Sequence, residues 1–311
     1  NIKLIGDVQL LPKELIEEVK KQKEEVLEFL KNSLKNIVQE TISPIGKSNY
    51  YPLSNAQKRI WLLSQFEGGN QAYNITTDFY LKGELDTEKF NKAFQQVIKK
   101  HESLRTVFYL ENDNPVQKII DNFSFSIEEI DIRNAVDINR KLKEELECSY
   151  NFKFDLENAP LINVKLLKIS GNEYALVLSI HHIISDGWSL SILMQEVMKN
   201  YRNLCSGVTE KEALLNIHYR DYANWLELKL KGKEGQSSLQ FWKSKKLDDV
   251  KPLVLPYDFK RSDTINYEGG LQKKYFDAGF YNQLKQFAQK HNTTTFNVLR
   301  ASVSLFLHKI S

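Results

Sequence analysis

The sequence predicts an α/β protein whose core is a two-layer sandwich of helices on sheets. Between residues 51 and 206, stretches with the apolar character of strands alternate with stretches of helical periodicity. Several of the strand patterns follow one another closely, which is typical of antiparallel neighbours. No unit of about 20–50 residues recurs, so a repeat architecture is not expected.

Four helices are predicted by their caps and apolar faces. SNAQKRIWLLSQF has Ser54 in the N-cap position. INRKLKEELECSY and SLSILMQEVMKNYRNL are two more. DTEKFNKAFQQVIKKHESL turns five apolar residues to one side, namely Phe90, Ala93, Phe94, Val97 and Ile98.

The strands predicted in the same region are YNITTDFYLKG, RTVFYLEN, NPVQKII, LINVKLLKI and EYALVLSIHH. NPVQKII follows RTVFYLEN so closely that the two are predicted to form a hairpin. EYALVLSIHH is apolar almost throughout, which is typical of a strand buried on both faces.

Residues 1–38 form a smaller predicted unit. IKLIG is a candidate strand, and LPKELIEEVKKQKEEVLEFLKNSL is an amphipathic helix whose apolar stripe is too narrow for a core of its own. Residues 39–50 lack periodicity and carry Ser, Pro and Gly, so they are predicted to be a linker. The first residue is Asn, and the final apolar stretch, TTTFNVLRASVSLFLHKIS, stops without a cap, which indicates a piece of a longer protein.

Composition argues against several classes of function. Forty-three basic and 40 acidic residues give a net charge of +3, spread along the chain, so nucleic acid is not an expected partner. No apolar run approaches about 18 residues, so no membrane span is predicted. The two cysteines, Cys148 and Cys205, stand in no CxxC pair, so a reducing cytoplasm is the expected location and no metal site is expected. The chain contains no GxGxxG or GxSxG motif.

The stretch SIHHIISDGWS (Ser179–Ser189) is the strongest candidate for a functional site. Neighbouring side chains on a strand point to opposite faces, so His181 and His182 cannot serve one ion or one substrate. One imidazole is expected in the interior and the other at a cleft. In the turn that follows, Asp186 can accept backbone N–H bonds and Gly187 permits a positive φ.

HHIISDG resembles the HHxxxDG signature of condensation domains of nonribosomal peptide synthetases, which belong to the chloramphenicol acetyltransferase-like superfamily. Other stretches resemble family motifs in the family's order. SNAQKRIWLL resembles SxAQxRxWxL, KHESLRTVF resembles RHExLRTxF with Lys100 in place of the first Arg, and FDLENAPL and HYRDYANW follow. A further family motif is matched in its spacing by the stretch FWK, which is Phe241, Trp242 and Lys243. The resemblance extends from Tyr51 to Ser311.

The resemblance implies two sandwich lobes of the chloramphenicol acetyltransferase-like type, a complete N-lobe in 51–215 and the start of a C-lobe in 216–311. Residues 1–38 resemble, without the usual first helix, the small docking domains that precede some condensation domains. A plain amphipathic spacer helix is the alternative. If the segment docks, a strand in it takes the C-terminal docking peptide of an upstream synthetase subunit by strand addition, through Ile2, Leu4 and Ile5.

The resemblance also implies the reaction. The amine of an aminoacyl thioester on a downstream carrier protein attacks a donor acyl or peptidyl thioester on an upstream carrier protein, and an amide forms. A downstream adenylation domain is expected in the same chain. The substrates arrive on the 4′-phosphopantetheine arms of the carrier proteins, and no bound cofactor or metal is implied. His182 is the implied catalytic imidazole, as base or as positioning group, with Asp186 and Gly187 beside it.

Four further residues are expected to support the site, namely His181, Ser189, Arg59 and Arg105. Either arginine is a candidate ion-pair partner for Asp186. Two other functions stay open, an epimerisation domain of the same fold and a non-catalytic module that organises carrier proteins. The stretches SNAQKRIWLL and YRDYANW favour condensation, and the intact HHxxxDG residues argue against the non-catalytic module. The resemblance leaves open which amino acids are joined.

Overall fold

The computed structural model describes residues 41–208, 215–260 and 272–311, with isolated positions within 22–28 and 267–270. Within the predicted N-terminal helix, the described residues are helical at Glu24, Glu25, Leu27 and Glu28. The residues predicted to dock a partner peptide are Ile2, Leu4 and Ile5, and all three lie outside the described residues.

By its contacts the chain divides into two compact units, Asn1–Ser43 and Pro44–Ser311. The division lies inside the segment 39–50 that the sequence predicts to be a linker. The predicted lobes, 51–215 and 216–311, both lie in the second unit.

In the second unit, the described strands are β1 (Tyr51–Pro52), β2 (Asn74–Lys82), β3 (Thr106–Glu111), β4 (Asn114–Ile119), β5 (Glu128–Asp131), β6 (Ile162–Lys168) and β7 (Glu173–His181). The described helices are α1 (Asn55–Ser64), α2 (Gly69–Ala72), α3 (Thr87–Lys100), α4 (Ile138–Tyr150), α5 (Gly187–Ser206), α6 (Tyr219–Lys231), α7 (Lys233–Ser244), α8 (Ala278–Lys290) and α9 (Thr295–Ile310). A 3-10 turn, Glu102–Arg105, joins α3 to β3.

The described strands form two sheets. The larger sheet has the order β2-β7-β6-β5, in which β7 runs antiparallel to β2 and β6, and β5 is parallel to β6. The smaller sheet, β1-β4-β3, is antiparallel throughout. The predicted hairpin is confirmed as β3 and β4.

Helices cover both faces of the larger sheet. On one face α3 and α5 pack against it, and the five α3 residues predicted to point inward are all 0% exposed, namely Phe90, Ala93, Phe94, Val97 and Ile98. On the other face Leu142 of α4 packs in a cluster with Leu167, Ala175 and Val177. The central strand β7 is therefore buried on both faces, as its composition predicts. The α/β sandwich class is confirmed, and the helix α4 on the second face adds a layer to the two that the sequence predicts for this sheet.

Several described elements were not predicted. Strand β5 has the sequence EEID and lies at the sheet edge, where three of its four residues are exposed. Its backbone pairs with β6 although its side chains show no strand alternation, because pairing context outweighs intrinsic strand preference. Strand β1 has two residues, which is too short for an alternation of apolar and polar side chains. The sequence also predicts none of the helices α7, α8 and α9. No helix among the described residues is long and apolar enough to cross a membrane.

Candidate active site

The two neighbouring histidines lie at the point where β7 leaves its sheet. His181 is the last residue of the strand and its side chain is 0% exposed, whereas His182 is exposed. The backbone N–H of His182 donates to the carbonyl of Tyr73 at 2.8 Å, which ties the exposed residue to the loop before β2. The structure thus places one imidazole in the interior and the other at the surface, as predicted, but His182 is exposed because it lies in the turn after β7 and not because side chains alternate along the strand.

His181 is packed as an interior side chain. Its ring meets the Phe154 ring edge-on, with the centroids 6.0 Å apart. Its Nδ1 accepts the backbone N–H of Ile183 at 3.2 Å, so the proton of the neutral ring sits on Nε2. Burial lowers the pKa of His181 to about 4, so this imidazole is neutral at pH 7. Its environment suits a structural role and gives it no route to a substrate.

His182 lines a cavity of about 160 Å³. The cavity lies between the turn after β7, the 3-10 turn, β4, and the first residues of α1, α5 and α6. Besides the imidazole, its polar lining residues are Gln57, Ser103, Thr106, Gln117, Ser185, Asp186, Ser189 and Tyr219. A site of this composition offers many hydrogen-bonding groups around one titratable imidazole. No group of three or more metal-ligating side chains is found among the described residues.

Asp186 is the N-cap of α5. Its Oδ1 accepts the backbone N–H of Ser189 at 2.8 Å and the Ser189 hydroxyl at 2.6 Å. The two hydrogen bonds from Ser189 hold the pKa of the Asp186 carboxyl below its usual value. Asp186 therefore fixes the start of α5, and with it the backbone that follows His182.

The arginine pairing expected for Asp186 is a wrong prediction. Arg105 Nη1 donates to Asp121 Oδ1 at 2.9 Å and to the carbonyl of Ile120 at 3.1 Å. Among the ion pairs of the described residues, none joins Asp186 to Arg59. The physical reason is local, since Ser189 already supplies the carboxylate with two donors.

Gly187 also differs from its prediction. It is the first residue of α5, and the described glycines with positive φ are Gly68, Gly83 and Gly207. A Cβ built on Gly187 meets no atom within 4 Å. Neither backbone strain nor a close neighbour therefore demands glycine here. The residue leaves open space at the N-terminus of α5.

Replacing Asp186 with Ala is expected to lower the free energy of unfolding by about 1 kcal/mol, because α5 loses its N-cap. Asp186→Asn is expected to cost much less, since Asn is also a good N-cap. Asp137→Ala is the matched control, because Asp137 caps α4 in the same way, with Oδ1 accepting Arg140 N–H at 3.0 Å. Urea unfolding of the three variants checks this. Full stability of Asp186→Ala would contradict the capping role.

Gln57 and Tyr219 form a wall of the cavity that His182 lines, and no sequence pattern assigns either of them to the site. The Ser54 hydroxyl and Gln57 make a capping box at the start of α1, and Ser54 as N-cap is a confirmed prediction. Gln57 is 4% exposed, and its Nε2 donates to the carbonyl of Ile183 at 3.4 Å. The Tyr219 hydroxyl lies 3.0 Å from the Ser54 hydroxyl, and burial raises the pKa of Tyr219. The SNAQKRIWLL and HYRDYANW stretches thus meet at this wall.

A cluster of charged side chains anchors the start of α6, the helix whose first residue is Tyr219. Arg220 Nη1 donates to the Tyr51 hydroxyl at 3.0 Å and lies 3.3 Å from Glu102 Oε2. The buried carboxylate of Asp221 accepts the backbone N–H of His218 at 2.7 Å and that of Ile45 at 2.9 Å. The KHESLRTVF and HYRDYANW stretches therefore meet through side chains distant in sequence.

Known proteins are similar to this chain in sequence and in fold. The Condensation domain family model matches residues 47–311. Bacitracin synthase 2 from Bacillus licheniformis is 36% identical over 273 residues, which are 88% of this chain and 10% of that relative. Surfactin synthase subunit 1 from Bacillus subtilis (strain 168) is 35% identical over 269 residues, which are 86% of this chain and 7% of that relative. The chain thus spans a tenth or less of the length of these two relatives.

Solved structures agree on the fold. The X-domain from teicoplanin biosynthesis superposes with a TM-score of 0.77 at 22% identity, covering 87% of this chain and 60% of its own. A double mutant of the starter condensation domain of the rhizomide synthetase RzmA superposes with a TM-score of 0.60 at 24% identity, covering 67% of this chain and 50% of its own. With the family match over residues 47–311, the chain belongs to the condensation domain family of nonribosomal peptide synthetases.

Proposed function

We propose that this chain forms the His182-bearing part of a domain that joins two carrier-bound thioesters through an amide bond. The single observation that supports this most is the division of labour between the histidines. His182 opens into a polar cavity, while His181 is buried and neutral. One exposed imidazole among hydroxyl and amide groups and a single carboxylate, Asp186, suits proton handling near pH 7.

The amine of the acceptor must be neutral before it can attack, since an ammonium ion has no free electron pair. In the proposed step its nitrogen attacks the carbonyl carbon of the donor thioester and a tetrahedral oxyanion forms. The imidazole of His182 accepts the surplus amine proton or holds the amine in line by a hydrogen bond. The carbon–sulfur bond then breaks, the amide remains, and the proton ends on the leaving thiolate of the upstream carrier protein.

The oxyanion of that intermediate needs hydrogen-bond donors. Helix α5 starts at Gly187, between two residues that line the cavity, Asp186 and Ser189. A helix N-terminus carries partial positive charge and unpaired N–H groups, which favour a developing negative charge. Two further residues that line the cavity, Tyr219 and Gln57, carry a hydroxyl and an amide as additional hydrogen-bond donors. In this proposal Asp186 acts as a positioning residue, since it holds the helix start through Ser189.

The proposed partners follow from the reaction. Carrier proteins deliver both substrates on 4′-phosphopantetheine arms, and an adenylation domain downstream loads the acceptor. The chain needs no bound cofactor in this proposal, because the thioesters supply the energy of amide formation. Docking of an upstream subunit by residues 1–38, and a cytoplasmic location, stay predictions.

The test uses the complete condensation domain that contains this chain, with one donor-loaded and one acceptor-loaded carrier protein. We expect a dipeptidyl thioester on the downstream carrier protein, detected by mass spectrometry of the intact carrier. Inversion of the donor Cα without amide formation would instead identify an epimerisation domain. Carrier binding without any product would identify a non-catalytic module.

The same assay separates the positioning role of Asp186 from its effect on stability. We expect Asp186→Ala to slow amide formation by at least about tenfold, because the helix start beside His182 loosens. Asp137→Ala removes an equivalent cap on α4, away from the cavity, and should keep the parent rate. Equal rates for the two variants at a temperature where both stay folded would argue against the positioning role.

A further inference from the structure

A second, smaller cavity adjoins the one that His182 lines. It measures about 130 Å³ and lies between the 3-10 turn and the first two turns of α5. The two cavities share four lining residues, namely Ser103, Ile184, Ser185 and Ser189. The second cavity is therefore a direct neighbour of the cavity that His182 lines. We call the second cavity the side pocket.

The side pocket is apolar where it is deepest. Leu104 is 6% exposed and Leu193 is 5% exposed, and both belong to the main core cluster. Ile192, which is 42% exposed, stands at the rim on α5. These three side chains and Ile184 supply the hydrocarbon surface of the side pocket. Burying apolar atoms against such a surface is favourable.

The one titratable group in the side pocket is already paired. His101 Nε2 lies 2.7 Å from Glu196 Oε2, and the other oxygen of that carboxylate accepts from Lys100 Nζ at 2.7 Å. Lys100 and His101 together hold the pKa of the half-buried Glu196 below its usual value although burial opposes them. A charged group entering the side pocket would find no free opposite charge among its lining residues, and burying it unpaired is costly.

We propose that the side pocket binds an uncharged aliphatic side chain of one of the two amino acids that are joined, and that Ile192 sets the length it accepts. The volume fits, because apolar cavities of about 150 Å³ hold a molecule of benzene's size. This proposal rests on the proposed amide-forming function. It adds a preference for substrate chemistry that the family membership does not supply.

The experiment measures kcat/KM for amide formation by the complete domain while one substrate is varied at a time. One arm varies the donor residue and the other varies the acceptor residue, each among Ala, Leu, Phe and Asp. In the arm whose side chain enters the side pocket, we expect Leu to exceed Asp by at least about tenfold. The other arm should discriminate less, which identifies the substrate that occupies the side pocket.

Variants at the rim test the assignment to this pocket. Ile192→Phe fills the side pocket and should lower kcat/KM for Leu about tenfold while the Ala substrate changes less than about twofold. Ile192→Ala enlarges the side pocket and should therefore raise kcat/KM for the Phe substrate relative to the Leu substrate. In a hydrophobic pocket, one methylene group changes the ratio of two kcat/KM values about tenfold or more. Leu228→Phe, an exposed position on α6, is the matched control and should change none of these ratios.

The outcomes separate the two proposals. Suppose that the wild-type domain forms amide, and that both Ile192 variants keep its selectivity for the donor residue and for the acceptor residue. The side pocket then does not bind substrate, and the proposed function stands. If Asp is accepted as well as Leu in both arms, the aliphatic preference is wrong. If no pair of substrates yields amide, the proposed function fails and the side pocket proposal fails with it.

Discussion

His182→Ala is expected to lower the single-turnover rate of amide formation by about 10²–10⁴-fold, the usual contribution of a positioned acid or base. The physical reason is that no other described histidine lines the cavity. The acceptor amine would then lose its nearby proton acceptor and its hydrogen-bond partner. Stability should change by less than about 0.5 kcal/mol, because the side chain is exposed. Quenched-flow measurement with two loaded carrier proteins, beside urea unfolding, checks both expectations.

Two further variants sharpen this prediction. His182→Gln keeps a hydrogen-bonding group but cannot take up a proton near pH 7, so a largely retained rate would identify positioning and a lost rate would identify base catalysis. His291→Ala removes an exposed histidine at the end of α8 and should retain the parent rate. A His182→Ala domain that is folded and within about twofold of the parent rate would remove His182 from the chemistry.

The second large effect is a loss of stability in acid that originates at His181. Its pKa is about 4 in the folded protein and about 6.5 in the unfolded chain. Between these values the unfolded state binds a proton that the folded state does not, so the free energy of unfolding rises with pH. The stabilisation is complete above pH 6.5 and is lost as the pH falls towards 4. The difference of roughly 2.5 units corresponds to about 3 kcal/mol.

Comparison with His181→Gln isolates that contribution. The glutamine cannot titrate, and the carboxylates elsewhere titrate alike in both proteins. We expect the stability of the parent relative to His181→Gln to fall by about 3 kcal/mol between pH 7 and pH 4, measured by urea unfolding at unit steps of pH. Parallel curves for the two proteins over this range would show that His181 is not held neutral by burial.

The parts of the fold that follow from local chemistry were predictable from the sequence. The inward face of α3 follows from helical spacing, and its members such as Phe90 and Phe94 are fully buried. Ser54 was predictable because Ser is a preferred N-cap. The opposite exposure of His181 and His182 matches the prediction for a different local reason, since β7 is buried on both faces and ends at His181, and His182 is the first residue of the turn that follows. In each case the deciding neighbours are within a few residues along the chain.

The parts that depend on distant neighbours were not predictable. The contact between Ser54 and Tyr219 joins residues 165 positions apart, and no local pattern indicates it. The arginine pairing of Asp186 failed for a different reason. The Asp-to-Ser189 spacing is an N-cap pattern, and a local partner at hydrogen-bond distance outcompetes a long-range ion pair.

Chemical modification of histidines, followed in parallel with activity, tests whether His182 is the reactive imidazole and His181 the buried one. Diethyl pyrocarbonate reacts with accessible neutral imidazoles, and peptide mass mapping reports the modified fraction of each histidine over time. We expect amide formation to decline in step with modification of His182, while His181 stays unmodified until the domain unfolds. Modification of His181 before His182, or full amide formation by a domain carbethoxylated at His182, would contradict this expectation.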